Sequence, residues 1–98
     1  MIVGEVIGTV VCTQKDASLK SMKMLIVQPR NISTLKTEGS ALVALDAVGA
    51  GIGELVLVVG GSSARNASGY AKVAVDQAII GIVDYLYIGD QKVYQKDE

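Results

Sequence analysis

Ninety-eight residues suffice for one domain, residues 1–98, built around a single core, and no linker or internal repeat interrupts them. Half are apolar, yet the chain has no Phe, no Trp and only four Tyr, so valine and isoleucine supply most of the bulk and strands are favoured. A formal net charge of -1, a single cysteine and no histidine exclude a basic nucleic-acid stripe, an intrachain disulfide and a thiol or serine activated by imidazole.

The chain opens with a strand. From Ile2 to Thr13 the even positions are Ile2, Gly4, Val6, Gly8, Val10 and Cys12, while Glu5, Thr9 and Thr13 fall on odd ones, a period of two. Glycines at 4 and 8 on the apolar side would let a long strand curl as the strands of small barrels must. Cys12, inside this apolar run, is expected to be a small buried hydrophobe. The opening carries Glu5 and no basic start, so it reads as a strand and not as a signal peptide, and no run of 18 apolar residues follows. A cytoplasmic protein with no membrane partner is expected.

QKDASLKS at 14–21 is a polar loop, MKMLIVQ at 22–28 a second strand stopped by Pro29, and RNISTLKTEGS at 30–40 a connecting loop. ALVALDAV at 41–48 makes a third strand and ELVLVV at 54–59 a fourth. The glycine stretch lies between them. GGSSARNASGY at 60–70 is turn-rich, and AKVAVDQA at 71–78 offers a short helical turn. A fifth strand, IIGIVDYLYI at 79–88, turns at Gly89 and Asp90 onto QKVYQ at 91–95, and the charged KDE tail is expected to fray. The reading is all-β: a partly open five-stranded barrel or a small sandwich, with a terminal hairpin and one or two helical turns.

Four patterns invite a chemical reading. Gly49, Gly51 and Gly53 suggest a phosphate-cradling loop, but a dinucleotide fingerprint needs its third glycine one residue later, where Glu54 puts a negative charge, and then a helix instead of the strand pattern ELVLVV. No lysine followed by Ser or Thr makes a P-loop either. No cofactor is expected. Ser62, Ser63 and Arg65 in GGSSAR could pair a nucleophile with an anion clamp, yet no base is marked out, and serines after glycines commonly form turns or caps. Asp46, Asp76 and Asp84 lie in or beside apolar segments. They could form a carboxylate dyad or a metal site, but the reading favours structural acids that accept turn N–H groups or pair with Arg30 or Arg65. Finally, Tyr85, Tyr87 and Tyr94 cluster on the hairpin, which leaves a single-stranded nucleic-acid-binding barrel as the alternative, without the positive groove that such binding needs.

The blocks D-x-V-G-A-G-x-G-E at 46–54, G-S-S-A-R at 61–65 and I-V-D at 82–84, with VIGTVVCTQKDASLKSMKMLIVQP at 6–29, resemble in order the EutN/CcmL family of bacterial microcompartment vertex proteins. The resemblance runs nearly end to end. It implies a small barrel similar to the oligonucleotide-binding topology, a cyclic homopentamer (a hexamer remains open), and a structural, non-enzymatic role capping five-fold corners of a shell whose facets are hexameric shell proteins. Nucleic-acid partners are not expected. In that setting Gly49, Ala50, Gly51 and Gly53 suit backbones crowding near a rotation axis, and Glu54 could pair with Arg65 within or between subunits. Ser62 and Ser63 join this expected interface or axial opening.

Overall fold

A computed structural model describes residues 1–13, 17, 22–61 and 76–96. The period-two opening forms β1 (Ile2–Val10), followed by β2 (Met24–Pro29), β3 (Leu42–Asp46), β4 (Leu55–Gly60), β5 (Gln77–Ile82), β6 (Tyr85–Ile88) and β7 (Gln91–Gln95). The first five close into a barrel in the order β1-β2-β3-β5-β4, β4 returning to pair with β1. It is therefore closed, where the sequence left a partly open barrel or a sandwich. Every pairing is antiparallel except the short parallel one between β3 and β5. The expected helical turn at 71–78 lies mostly outside the described residues, and its last two, Gln77 and Ala78, belong to β5.

The long first strand serves two neighbours. Ile2 to Glu5 pair with Val58 to Leu55 of β4, while Gly4 to Val10 pair with Pro29 to Met24 of β2. Gly4 is where β1 and β2 meet most tightly: a Cβ there would come within 2.5 Å of Val27 Cγ1 and 3.0 Å of the Gln28 carbonyl oxygen. The second glycine behaves differently. A bulge between Val6 and Gly8 shifts the register, so Gly8 faces Ile26, which alternates with the buried Leu25 and Val27 and therefore points outward. The simple even-odd alternation breaks at that bulge. Cys12 is likewise exposed and not buried, because pairing ends at Val10 and the chain runs free of the barrel, leaving Val11 89% exposed.

Among the described residues the buried interior is aliphatic, in keeping with a chain that has no Phe or Trp. Val6, Leu25, Val27, Ala44, Ala50, Val56, Val58 and Ile79 form its buried cluster. β4, flanked by β1 and β5, buries side chains on both faces, since Leu55 and Val59 are buried as well as Val56 and Val58, while Leu57 between them is half-buried. This is why LVLVV lacks polar alternation.

The segment at 79–88 is two strands, not one. β5 ends in the barrel at Ile82, Val83 N–H donates to the Leu55 carbonyl (2.8 Å), and after Asp84 the chain leaves to form the two-stranded sheet of β6 and β7. The turn falls at Gly89 and Asp90, with Ile88 opposite Gln91. This arm touches the barrel strands sparingly and contributes to a molecule 45 Å long and only 24 Å and 23 Å across. Among the described residues no helix is long and apolar enough to cross a membrane.

Candidate assembly surface

The glycine stretch between β3 and β4 is tied down at almost every residue. Asp46 ends β3 and its Oδ1 accepts the N–H groups of Val48 (3.0 Å) and Gly49 (3.1 Å), the turn-forming habit of aspartate. Its Oδ2 lies 3.7 Å from Lys23 Nζ, and the same ammonium donates to the Ala50 carbonyl at 2.9 Å. The Asp46 side chain is only 1% exposed, so these three partners offset the cost of burying its charge. Arg30, one of the two arginines the sequence offered to these acids, lies beyond the opposite end of β2 and is engaged by Glu5 at 2.7 Å.

Farther along, Ala50 is buried in the core cluster and anchors the middle of the loop. Gly53 N–H donates to the Val6 carbonyl (2.8 Å) and Val6 N–H to that of Glu54 (3.0 Å), which stitches the loop to β1. Gly49 and Gly53 have φ of 80° and 92°, where a side chain would be strained, so their glycines answer a demand of the backbone itself. Gly51 has no such φ, and a Cβ there would only brush Glu54 Oε1 at 3.4 Å.

Glu54 closes the loop from the other side. Its Oε1 accepts Gly51 N–H at 2.6 Å and its Oε2 pairs with Lys96 Nζ at 2.8 Å. The Lys96 hydrogen bond, and then the Gly51 amide, hold this carboxyl below its ordinary value. Lys96 does not fray with the tail, because its backbone N–H also donates to the Asp84 carbonyl at 2.8 Å. Thus one carboxylate joins the glycine loop to the root of the arm.

The carboxylates of the other two acidic candidates take no part in the hydrogen bonds described for this loop. Asp84 is exposed between β5 and β6. Asp76 is exposed just before β5, its carbonyl accepting Gly61 N–H at 2.7 Å. Among the described residues no group of three or more Asp, Glu, Cys or His side chains is placed to hold a metal ion. Ser62, Ser63 and Arg65, the last being the partner the sequence offered for Glu54, lie outside the described residues.

Apolar side chains left in solvent distinguish this surface. Val48 and Ile52 stand exposed on the pinned loop, Ile52 by 69%, and Tyr85 and Tyr87 are 61% and 55% exposed on one face of the arm. Tyr94 is half-buried. Lys23 and Lys96, the two cations that organise the loop, escaped the sequence reading. Lys23 is separated from Ala50 by 27 positions, and only the register of β2 against β3, with Met24 opposite Leu45, brings it there.

The model of the family described as ethanolamine utilisation protein EutN/carboxysome matches residues 1–84. The chain is 49% identical over 84 residues to the bacterial microcompartment shell vertex protein GrpN of Rhodospirillum rubrum, covering 86% of this chain and 93% of that one. It is 40% identical to the carboxysome shell vertex protein CcmL of a Nostoc species, covering 100% and 97%. Among solved structures, CcmL of Gloeobacter violaceus superimposes with a TM-score of 0.92 at 38% identity over 100% of both chains. The GrpN structure, described as a pentameric microcompartment shell protein, does so with a TM-score of 0.81 at 44% identity over 90% of this chain and 99% of that one. With the closed five-stranded barrel and the D-x-V-G-A-G-x-G-E loop described above, these likenesses place the chain in the EutN/CcmL family.

Proposed function

We propose that this chain is a structural protein that closes into a cyclic homopentamer and caps the five-fold vertices of a bacterial microcompartment shell in the cytoplasm, where it meets hexameric shell proteins. The observation that carries this reading is likeness along the whole chain to shell vertex proteins, one of them described as pentameric. The physics of the loop supports it. The carboxylates of Asp46 and Glu54 are committed to backbone amides and lysines, which fixes a surface instead of freeing a base. The reading assigns the chain no catalytic role and no cofactor.

Within that assembly we place Gly49, Gly51, Gly53 and Glu54, with Ser62, Ser63 and Arg65, at a subunit junction or around the axial opening, and Ala50, which is buried, anchors their loop from the core. Among the described residues a Cβ at Gly49 or Gly53 would meet nothing within 4 Å, which leaves room for a neighbour's backbone. Gly51 is the informative position. Gly51→Val is tolerable within one subunit, so its predicted effect is to block assembly by crowding, and a variant that still forms the ring removes the loop from the junction.

The function is tested by producing hexameric shell proteins with and without this chain. Closed, faceted shells are expected only with it, and open sheets or tubes without it. Shells equally closed in its absence would overturn the reading.

A further inference from the structure

We propose that the β6–β7 arm of one subunit docks into a groove on the outer barrel wall of the next copy of this chain. The proposal rests on the cyclic assembly above and names its contact. A ring of identical subunits uses two different patches, one that donates and one that receives. The molecule carries both.

The donor is the arm. A two-stranded sheet alone in water is at best marginally stable, and this one has little of the barrel against it while exposing Tyr85, Tyr87 and Ile88. Its root is fixed, since Glu54 holds Lys96 and the Leu55 carbonyl holds Val83 N–H. An arm pinned there projects from the Leu55 end of β4 and is held out for another molecule.

The receiver is an open groove of about 390 Å³ whose lining includes Ile2, Pro29, Ile32 and Leu57, with Arg30 and Glu38 beside them. It lies on the outer wall, because Leu57 alternates with the inward Val56 and Val58. One wall is preformed. Asn31 Oδ1 accepts the N–H groups of Ser33 (2.8 Å) and Thr34 (3.0 Å), and Leu35 is held at a φ of 61°, a conformation costly for a branched side chain. That rigidity presents Ile32, which is exposed, at no ordering cost on binding.

Charge selects the match. Lys92 stands opposite Tyr87 on the arm, and the groove's exposed carboxylate is Glu38, while its cation Arg30 is already neutralised by Glu5. Seating Tyr87 against Ile2, Ile32 and Leu57 would bring Lys92, its cross-strand neighbour on the same face of the arm, to Glu38 at the rim.

The test separates donor from receiver. Tyr87→Asp spoils the arm and leaves the groove, while Ile32→Asp spoils the groove and leaves the arm. Both positions are exposed, so each variant is expected to keep the wild-type circular dichroism spectrum. In analytical ultracentrifugation each variant alone should be a monomer, and the mixture should give a one-to-one dimer of twice 10.2 kDa, because one contact forms and the ring cannot close. Variants that still form wild-type rings, or monomers that fail to pair when mixed, would overturn the docking. A wild-type protein that is itself monomeric would overturn the assembly reading instead. Should either aspartate variant unfold, the charge pair decides. Lys92→Glu and Glu38→Lys should each weaken assembly roughly tenfold or more and the double variant should restore it, whereas no restoration would overturn the proposal.

Discussion

The glycine loop and the terminal arm invert what their sequences suggest. Rich in glycine, the loop looks like the softest part of the chain, yet Asp46, Lys23, Ala50 and Glu54 bind it to the barrel along its whole length. The arm is built of good strand formers and is held mainly at its root. The contrast teaches that order here follows from where carboxylates and buried side chains find partners, and that backbone propensity decides little of it. A pinned loop presenting Val48 and Ile52 costs little entropy on association, whereas the arm gains cover only when something else supplies it.

The contrast breaks most sharply at Ala50. An unpaired charge in the core, as in Ala50→Asp, should cost several kcal/mol and unfold the barrel, which the loss of the circular dichroism spectrum at ordinary temperature would register. Asp46→Ala removes two turn hydrogen bonds and strands Lys23 beside Ala50. Urea unfolding at fixed protein concentration should then show a loss of about 1–3 kcal/mol.

Acid sharpens the comparison by loosening the joint between the two regions. The Glu54 carboxyl is held below its ordinary value of 4.5, so its stabilising contribution is complete above that pH and is lost as the pH falls through the lower folded value. The groups facing it are the Lys96 ammonium and the Gly51 amide, with Lys23 more distant. The protection of the Gly51 and Lys96 amides against hydrogen exchange, taken relative to their intrinsic rates, should therefore fall below pH 4.5 in the wild type, and Glu54→Gln should remove that dependence. The smallest effect is expected at Tyr85, exposed on the arm. Tyr85→Ala should change the stability of a subunit by less than about 0.5 kcal/mol in the same urea experiment, and a larger loss would mean that the arm is integral to the barrel.

Much of the fold was legible because β-branched residues, alternation and turn glycines agree locally. The hairpin turn at Gly89 and Asp90 and the strands flanking the glycine stretch needed nothing more. Three features were not. The bulge between Val6 and Gly8 arises from the fit of β1 to β2 and leaves no local mark, so Gly8 was assigned to the wrong side, and Cys12 was taken for a buried residue although pairing ends at Val10. The break between β5 and β6 at Val83 and Asp84 depends on Leu55 accepting the Val83 amide, a partner 28 positions away. The cations Lys23 and Lys96 look like ordinary surface lysines until register places them against Asp46 and Glu54. The glycine stretch itself could be freed of a nucleotide reading by its spacing, the charge of Glu54 and the strand pattern after it, but its pinning required the third dimension.

The central claim, a closed five-fold ring, is tested most directly by the mass of the intact protein under native conditions. The account predicts one species at five times the 10.2 kDa chain, about 51 kDa. A species of 10.2 kDa, or one of six chains at about 61 kDa, would contradict it.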